Sequence, residues 1–290
     1  MQKRTQKLNF VFWGTPDVAS ETLEILKENG YLPSLIITAP DKPQGRKMII
    51  TPPPVKVWAE KNNIPFIQPE DLTPSAFSTS PLLRGRSGGG LDLSIVVAYG
   101  KIIPENILNI PKLGSINVHY SLLPKYRGAS PVESAILNGD TETGISIQKM
   151  AYKMDAGPII AEEEVSISPD EKAPDLRKRL IKIGGKLLVK TLPKITEGKI
   201  KLTEQNENEA TFCKKIQKEN GLVNLSEEKP SVLYNKFRAY AHWPRTFFFQ
   251  NNKRIIITEA TLENGLFIIK KVLPEGKREI KYEDFVKTNI

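Results

Sequence analysis

Residues Leu8–Gly30 read LNFVFWGTPDVASETLEILKENG, and this stretch decides the fold class. Asn9–Trp13 is a short apolar run of strand-forming residues. It stops at Gly14-Thr15-Pro16-Asp17, where Thr15 is a candidate helix cap and Pro16 suits a first helical turn. Val18/Ala19, Leu23 and Ile25/Leu26 then recur at helical spacing as far as Gly30, a helix stop. A strand therefore turns straight into a helix.

The alternation continues outward from there. Leu35–Thr38 reads as a strand, Val55–Asn62 as a helix and Pro65–Gln68 as extended chain, while Leu93–Ala98 has the unbroken apolar character of a strand buried on both faces. Ser115–His119 is a further strand, Pro131–Leu137 a helix closed by Asn138-Gly139, Gly144–Met150 and Ile159–Ser166 two strands, and Pro174–Ile195 a long helix. Strands alternating with helices predict an α/β domain around a doubly wound, mostly parallel sheet. Gly198–Ala210 is polar and nearly free of core residues, the mark of a linker. Beyond it Ser231–Tyr240 reads as a helix, and Thr246–Phe249, Arg254–Glu259 and Leu266–Val272 as short strands, which fit a small β-barrel. The expected division is 1–197, a linker at 198–210, and a second domain at 211–290.

The 290 residues are enough for a large core and a smaller companion domain. The net charge of +9 is uneven: residues 211–290 hold 15 Lys+Arg against 9 Asp+Glu, so the tail is the basic part. An anionic partner is compatible with that balance. The single cysteine, Cys213, excludes an intramolecular disulfide, and with only two histidines no Cys/His cluster has metal-ligand spacing, so no metal is expected. The basic start MQKRTQK leads into an apolar run too short for a signal-peptide core or a membrane span. The reading is a cytoplasmic chain.

Chemistry concentrates in Ser115–Pro131, SINVHYSLLPKYRGASP. Side chains two apart on a strand share a face, so Asn117 and His119 project together from the carboxyl end of theirs, where ligands of open α/β sheets bind. An amide donor beside an imidazole meets the needs of a carbonyl carbon becoming tetrahedral, with charge growing on its oxygen. Taken singly, Asn117 is a turn former and His119 a satisfied buried histidine. Asp155, in the turn Lys153-Met154-Asp155-Ala156-Gly157, offers a carboxylate to orient His119 or take a proton, or is simply a good turn residue. Gly14-Thr15-Pro16 lacks the glycines that admit a pyrophosphate, which excludes a nicotinamide oxidoreductase. Arg84–Gly90, RGRSGGG, matches neither a dinucleotide nor a P-loop fingerprint and reads as a surface loop.

The runs FWGTPD (12–17), PDKPQGR (40–46), PVKVWA (54–59), VVAYGKIIP (96–104), INVHYSLLPKYRGASPVESAILNGDTETG (116–144), MDAGPI (154–159) and AYAHWPRTFF (239–248) stand in the order seen in methionyl-tRNA formyltransferases, and the chain resembles that family over almost its whole length. The resemblance implies a Rossmann-like formyltransferase domain followed by an OB-like β-barrel that binds tRNA. It implies 10-formyltetrahydrofolate as formyl donor, methionyl-initiator tRNA as acceptor, a catalytic trio of Asn117, His119 and Asp155, and a folate-binding segment of Ser121, Leu122, Leu123 and Pro124. The loop Asp41–Pro54 resembles the family's acceptor-stem loop, with Arg46, and Lys47 beside it, as tRNA contacts. A monomer is expected.

Tyr120 stands where the family has a small residue, and strand alternation turns it away from Asn117 and His119. The C-terminal domain looks shortened by a strand pair between Glu259 and Gly265. The Asn-x-His-x-Ser-Leu-Leu-Pro run with a later Asp-x-Gly does not identify the acceptor, so an N-formyltransferase acting on an amino-sugar nucleotide is the nearest alternative. A non-catalytic RNA-binding protein is the alternative of a different class.

Overall fold

The computed structural model describes residues 8–45, 47–72 and 90–287. By their contacts the described residues group into two compact units, one within the ranges 1–127, 144–163 and 180–210, the other within 128–143, 164–179 and 211–290. The strand–helix start holds: β1 (Phe10–Gly14) is followed by α1 (Asp17–Glu28). The cap does not. Pro16 stands at the helix start with no side-chain cap, because the Thr15 hydroxyl donates instead to the Tyr99 carbonyl at 3.1 Å, tying the end of β1 to the neighbouring strand's end.

In the first unit β2 (Leu35–Ile37) and β5 (Phe66–Ile67) lie on one side of β1, and β6 (Leu93–Val97) and β7 (Ser115–His119) on the other, all parallel. β9 (Glu142–Lys149) runs antiparallel to β7, and β10 (Ile159–Ser166) lies beyond it at the edge of a seven-stranded sheet. Both faces of the central strands are buried: Val11 and Trp13 join Leu35, Ile37, Val96 and Tyr99 in one cluster, while Phe10 and Phe12 alternate to the other side, also buried. Helix α1 covers β1 and β6 with Ala19, Leu23 and Leu26, and α2 (Pro54–Lys61) packs beside it. Between them an exposed hairpin, β3 (Lys42–Gln44) and β4 (Ile49–Thr51), stands on a base held by the Lys56–Asp41 ion pair at 2.7 Å. A short helix, α3 (Glu105–Leu108), and a two-residue strand, β8 (Arg127–Gly128), follow β6 and β7.

The polar stretch 198–210 is bonded into this first unit rather than hanging free. Thr203 and Ile159 exchange both backbone hydrogen bonds, at 2.8 and 2.9 Å, and side chains at 205 and 207 add more. Polar hydrogen bonds, not apolar burial, hold the segment. By their contacts, residues 128–143 and 164–179 group with the C-terminal residues.

The second unit contains α4 (Pro131–Asn138), whose left-handed Gly139 ends it as expected, and the first turns of α5 (Ala173–Thr196). After β11 (Phe212–Cys213), α6 (Pro230–Ala239) packs Leu233, Tyr234 and Phe237 onto an antiparallel sheet. That sheet runs β12 (Phe247–Gln250), β13 (Lys253–Glu263), β14 (Leu266–Pro274), β15 (Ile280–Lys281), in sequence order, and α7 (Tyr282–Lys287) follows. The small β-domain is thus an antiparallel sheet domain, a four-stranded meander whose β12 also takes a parallel bridge between Leu222 and Phe247. The long hairpin turns on Asn264 and Gly265, both at positive φ (52° and 76°), a two-residue turn that joins β13 directly to β14 and leaves no room for an intervening strand pair.

Candidate active site

Alternation along β7 sorts its side chains. Val118 and Tyr120 face α5, where Gly184 leaves room for them: a Cβ there would meet the Tyr120 ring at 3.4 Å and Val118 at 3.5 Å. Tyr120 is buried, its hydroxyl 3.5 Å from Thr22 Oγ1, and burial pushes the phenol up to about 12. Asn117 and His119 therefore turn to the opposite face. So do their cross-strand partners on β9, since the register pairs Asn117 with Gln148 and His119 with Ser146.

Asp155 comes to the same face from the loop between β9 and β10. Its Oδ1 accepts from Gln148 Nε2 at 2.9 Å and from Asn117 Nδ2 at 3.4 Å, and its Oδ2 lies 3.8 Å from His119 Nδ1. His119 is 6% exposed and Asp155 14%, so the charge sits in a restricted, poorly hydrated site where such contacts are strengthened. His119 Nε2 lies 2.9 Å from the Tyr126 carbonyl oxygen. A carbonyl only accepts, so Nε2 carries the hydrogen in the neutral ring and Nδ1 is the nitrogen that exchanges a proton on the Asp155 side. At 3.8 Å the carboxylate does not hold the ring; the Tyr126 carbonyl does, presented by a backbone at φ 59°.

The segment Ser121–Pro124 continues directly from β7. Ser121 and Leu123 are buried, while Leu122 and Pro124 keep partly exposed apolar surface. Ser121 Oγ donates to Lys125 O at 2.6 Å. Ser146 Oγ accepts the Leu123 N–H at 2.9 Å and lies 2.8 Å from Ser121 O and 2.6 Å from Glu162 Oε1. The loop is pinned by the residue opposite His119.

Sequence reasoning named Asn117, His119 and Asp155, which the structure brings together, and missed Tyr126, Ser146, Gln148 and Gln205. A signal existed for two of them: in Ile145-Ser146-Ile147-Gln148 the polar residues alternate with isoleucines, and pairing that strand against β7 puts them on the Asn117 face. Lys47 is exposed on the hairpin, whereas Arg46 lies outside the described residues, as does Arg84–Gly90 apart from Gly90, whose carbonyl accepts from Asn9 Nδ2 at 2.7 Å. No group of three or more His, Cys, Asp or Glu that could hold a metal ion occurs among the described residues, and no described helix is long and apolar enough to cross a membrane.

Residues 6–192 match the formyl transferase family and residues 215–267 the family's C-terminal domain. The chain belongs to the formyl transferase family. Its relatives include the methionyl-tRNA formyltransferase of Thermotoga sp. (strain RQ2), 43% identical over 86% of this chain and 77% of that protein. Another, the methionyl-tRNA formyltransferase of Halalkalibacterium halodurans, is 36% identical over 97% of this chain and 94% of that one. Among solved structures, the methionyl-tRNA formyltransferase from Clostridium thermocellum superposes with a TM-score of 0.60 at 17% identity, covering 94% of this chain and 99% of that one. The N-formyltransferase from Helicobacter canadensis, solved with folinic acid and dTDP-3-aminofucose, superposes with a TM-score of 0.65 at 20% identity, covering 89% and 88%. At these identities the two structures share the fold of this family member.

Proposed function

We propose that this chain transfers the formyl group of 10-formyltetrahydrofolate to the α-amino group of methionyl-initiator tRNA, giving N-formylmethionyl-tRNA for the start of translation. The observation that carries this reading is the convergence of Asn117, His119 and Asp155 at the carboxyl end of β7, in a chain 36–43% identical to the relatives just named. The partly exposed apolar surface of Leu122 and Pro124, on the segment that continues the strand bearing Asn117 and His119, fits a flat ring system carrying an amide. The donor supplies a formyl carbonyl on a nitrogen able to leave. Asn117, which keeps a second amide hydrogen, and protonated His119 stabilise the oxygen that gains charge as the neutral amine adds. Asp155 takes the proton the amine sheds and His119 returns one to the departing nitrogen, so one C–N bond replaces another with no net proton released.

For the acceptor, the hairpin of β3 and β4 projects Lys47 with Met48, Ile49 and Ile50, the last three 66%, 61% and 70% exposed. Exposed apolar side chains beside a cation mark an interaction surface, and a basic C-terminal unit adds phosphate contacts. The first unit thus serves as the folate-binding catalytic domain and the second as the tRNA-binding one. Each copy carries a whole trio, so a monomer suffices, and charged tRNA places its work in the cytoplasm.

The test is formyl transfer to methionyl-initiator tRNA, with methionyl-elongator tRNA and an amino-sugar nucleotide as competing acceptors. Wild type should favour the initiator, and Asn117→Ala should lose about 10²–10³ in kcat. A sugar-nucleotide amine used in preference, or an Asn117→Ala enzyme within a few-fold of wild type, overturns the assignment.

A further inference from the structure

We infer that Gln205, anchored by the buried guanidinium of Arg127, is a positioning residue that holds the Asp155 loop in its working conformation. This rests on the formyl-transfer reading only for Asp155's role in the chemistry; the clamp itself stands on geometry. Gln205 Nε2 donates to the Asp155 carbonyl at 2.9 Å and to the Gly157 carbonyl at 2.7 Å. Its Oε1 accepts from Arg127 Nε at 3.0 Å and Nη2 at 2.8 Å. The amide orientation is unambiguous, because backbone carbonyls only accept and a guanidinium only donates.

The rest of the segment reinforces the grip. Arg127 is 0% exposed, and its Nη2 also donates to Glu207 Oε1 at 2.8 Å. Glu207 in turn accepts from Lys153 Nζ at 2.5 Å. With the Thr203–Ile159 backbone pair, the segment bonds the loop at 153, 155, 157 and 159, at alternate positions along the stretch that carries the carboxylate.

Asp155 needs such support. Its φ of 50° lies in the left-handed region that a residue with a Cβ adopts at a cost and keeps only where its surroundings over-determine it. Gln148 and Asn117 hold the carboxylate, and Gln205 holds the Asp155 backbone carbonyl. Gln205 bonds to main-chain oxygens and to Arg127, so its effect on the reaction passes through Asp155.

The test pairs Gln205→Ala with Gln205→Glu. The glutamate keeps an acceptor for Arg127, so the guanidinium stays paired, but it sets a carboxylate oxygen against two carbonyl oxygens in place of two N–H bonds. Both variants should lose about 10–10² in kcat, while KM for the folate moves less than about threefold. Q205E should melt close to wild type, and amide hydrogen exchange at 153–157 should accelerate in both while β7 stays protected. A Q205E enzyme with wild-type kcat, or losses that follow only the folded fraction, overturns the inference. If wild type fails to formylate charged tRNA, the proposed function falls, and unaltered exchange at 153–157 in the variants would separately sink the clamp.

Discussion

Replacing Gly157 with alanine probes how tightly the Asp155 loop must be held. A Cβ at this position would interpenetrate the Lys149 carbonyl oxygen and lie 3.0 Å from its carbon and 3.2 Å from the Ala151 nitrogen. All three are backbone atoms, so no rotamer change relieves the overlap, and residue 157 must retreat by on the order of 1 Å. Gly157 is two residues from Asp155, and its carbonyl is one of the two acceptors for Gln205, so the retreat passes to the carboxylate. A displacement of about 1 Å in a catalytic constellation costs about 10²-fold in rate, ~2.7 kcal/mol of activation free energy. Overpacking costs roughly 1–3 kcal/mol of stability, less than the ~5–15 kcal/mol of a typical domain, so the variant stays folded with its melting temperature lowered by a few degrees. Single-turnover formyl transfer with excess enzyme, run beside a thermal melt, reads both numbers. A folded Gly157→Ala enzyme within about threefold of wild type would show that the loop's placement does not limit the reaction.

Ser146→Ala removes the acceptor for the buried Leu123 N–H and should cost about 1–3 kcal/mol, appearing chiefly as a raised KM for the folate; an unchanged KM argues against the pinned loop. Hydrogen bonds from Arg127, then Lys153, hold the Glu207 carboxyl at about 2 against an ordinary 4.5. A lowered carboxylate stabilises the fold above the ordinary value and loses that contribution as pH falls from about 4.5 toward about 2, so the melting gap between wild type and Glu207→Gln should be full at pH 7 and close across that window. A gap that ignores pH refutes the pairing. Phe12→Ala, at a fully buried position on β1, should destabilise by about 3–5 kcal/mol in denaturant titration, and a loss under about 1 kcal/mol would contradict the packing described.

Local pattern carried the α/β architecture. The run Leu8–Gly30 encodes a strand and a helix through apolar spacing alone, and the strand at Ser115–His119 was legible to the residue, so the shared face of Asn117 and His119 follows from the two-residue period of extended chain. Where a residue's fate depends on a distant partner, pattern was silent. Thr15 looks like a cap and bonds Tyr99 instead; residues 198–210 look like slack chain and are bonded to the Asp155 loop; the β-domain's strands are visible, but whether they close into a barrel depends on how many pair and how tightly Asn264-Gly265 turns. Strand and helix periodicities arise from bonds between near neighbours in the chain and are written in the order of residues. The contacts of Asp155 with Asn117 and Gln205, 38 and 50 residues away, and of Arg127 with Gln205, 78 away, have no such period, because they exist only after the chain has folded back and desolvated the groups that must then find one another.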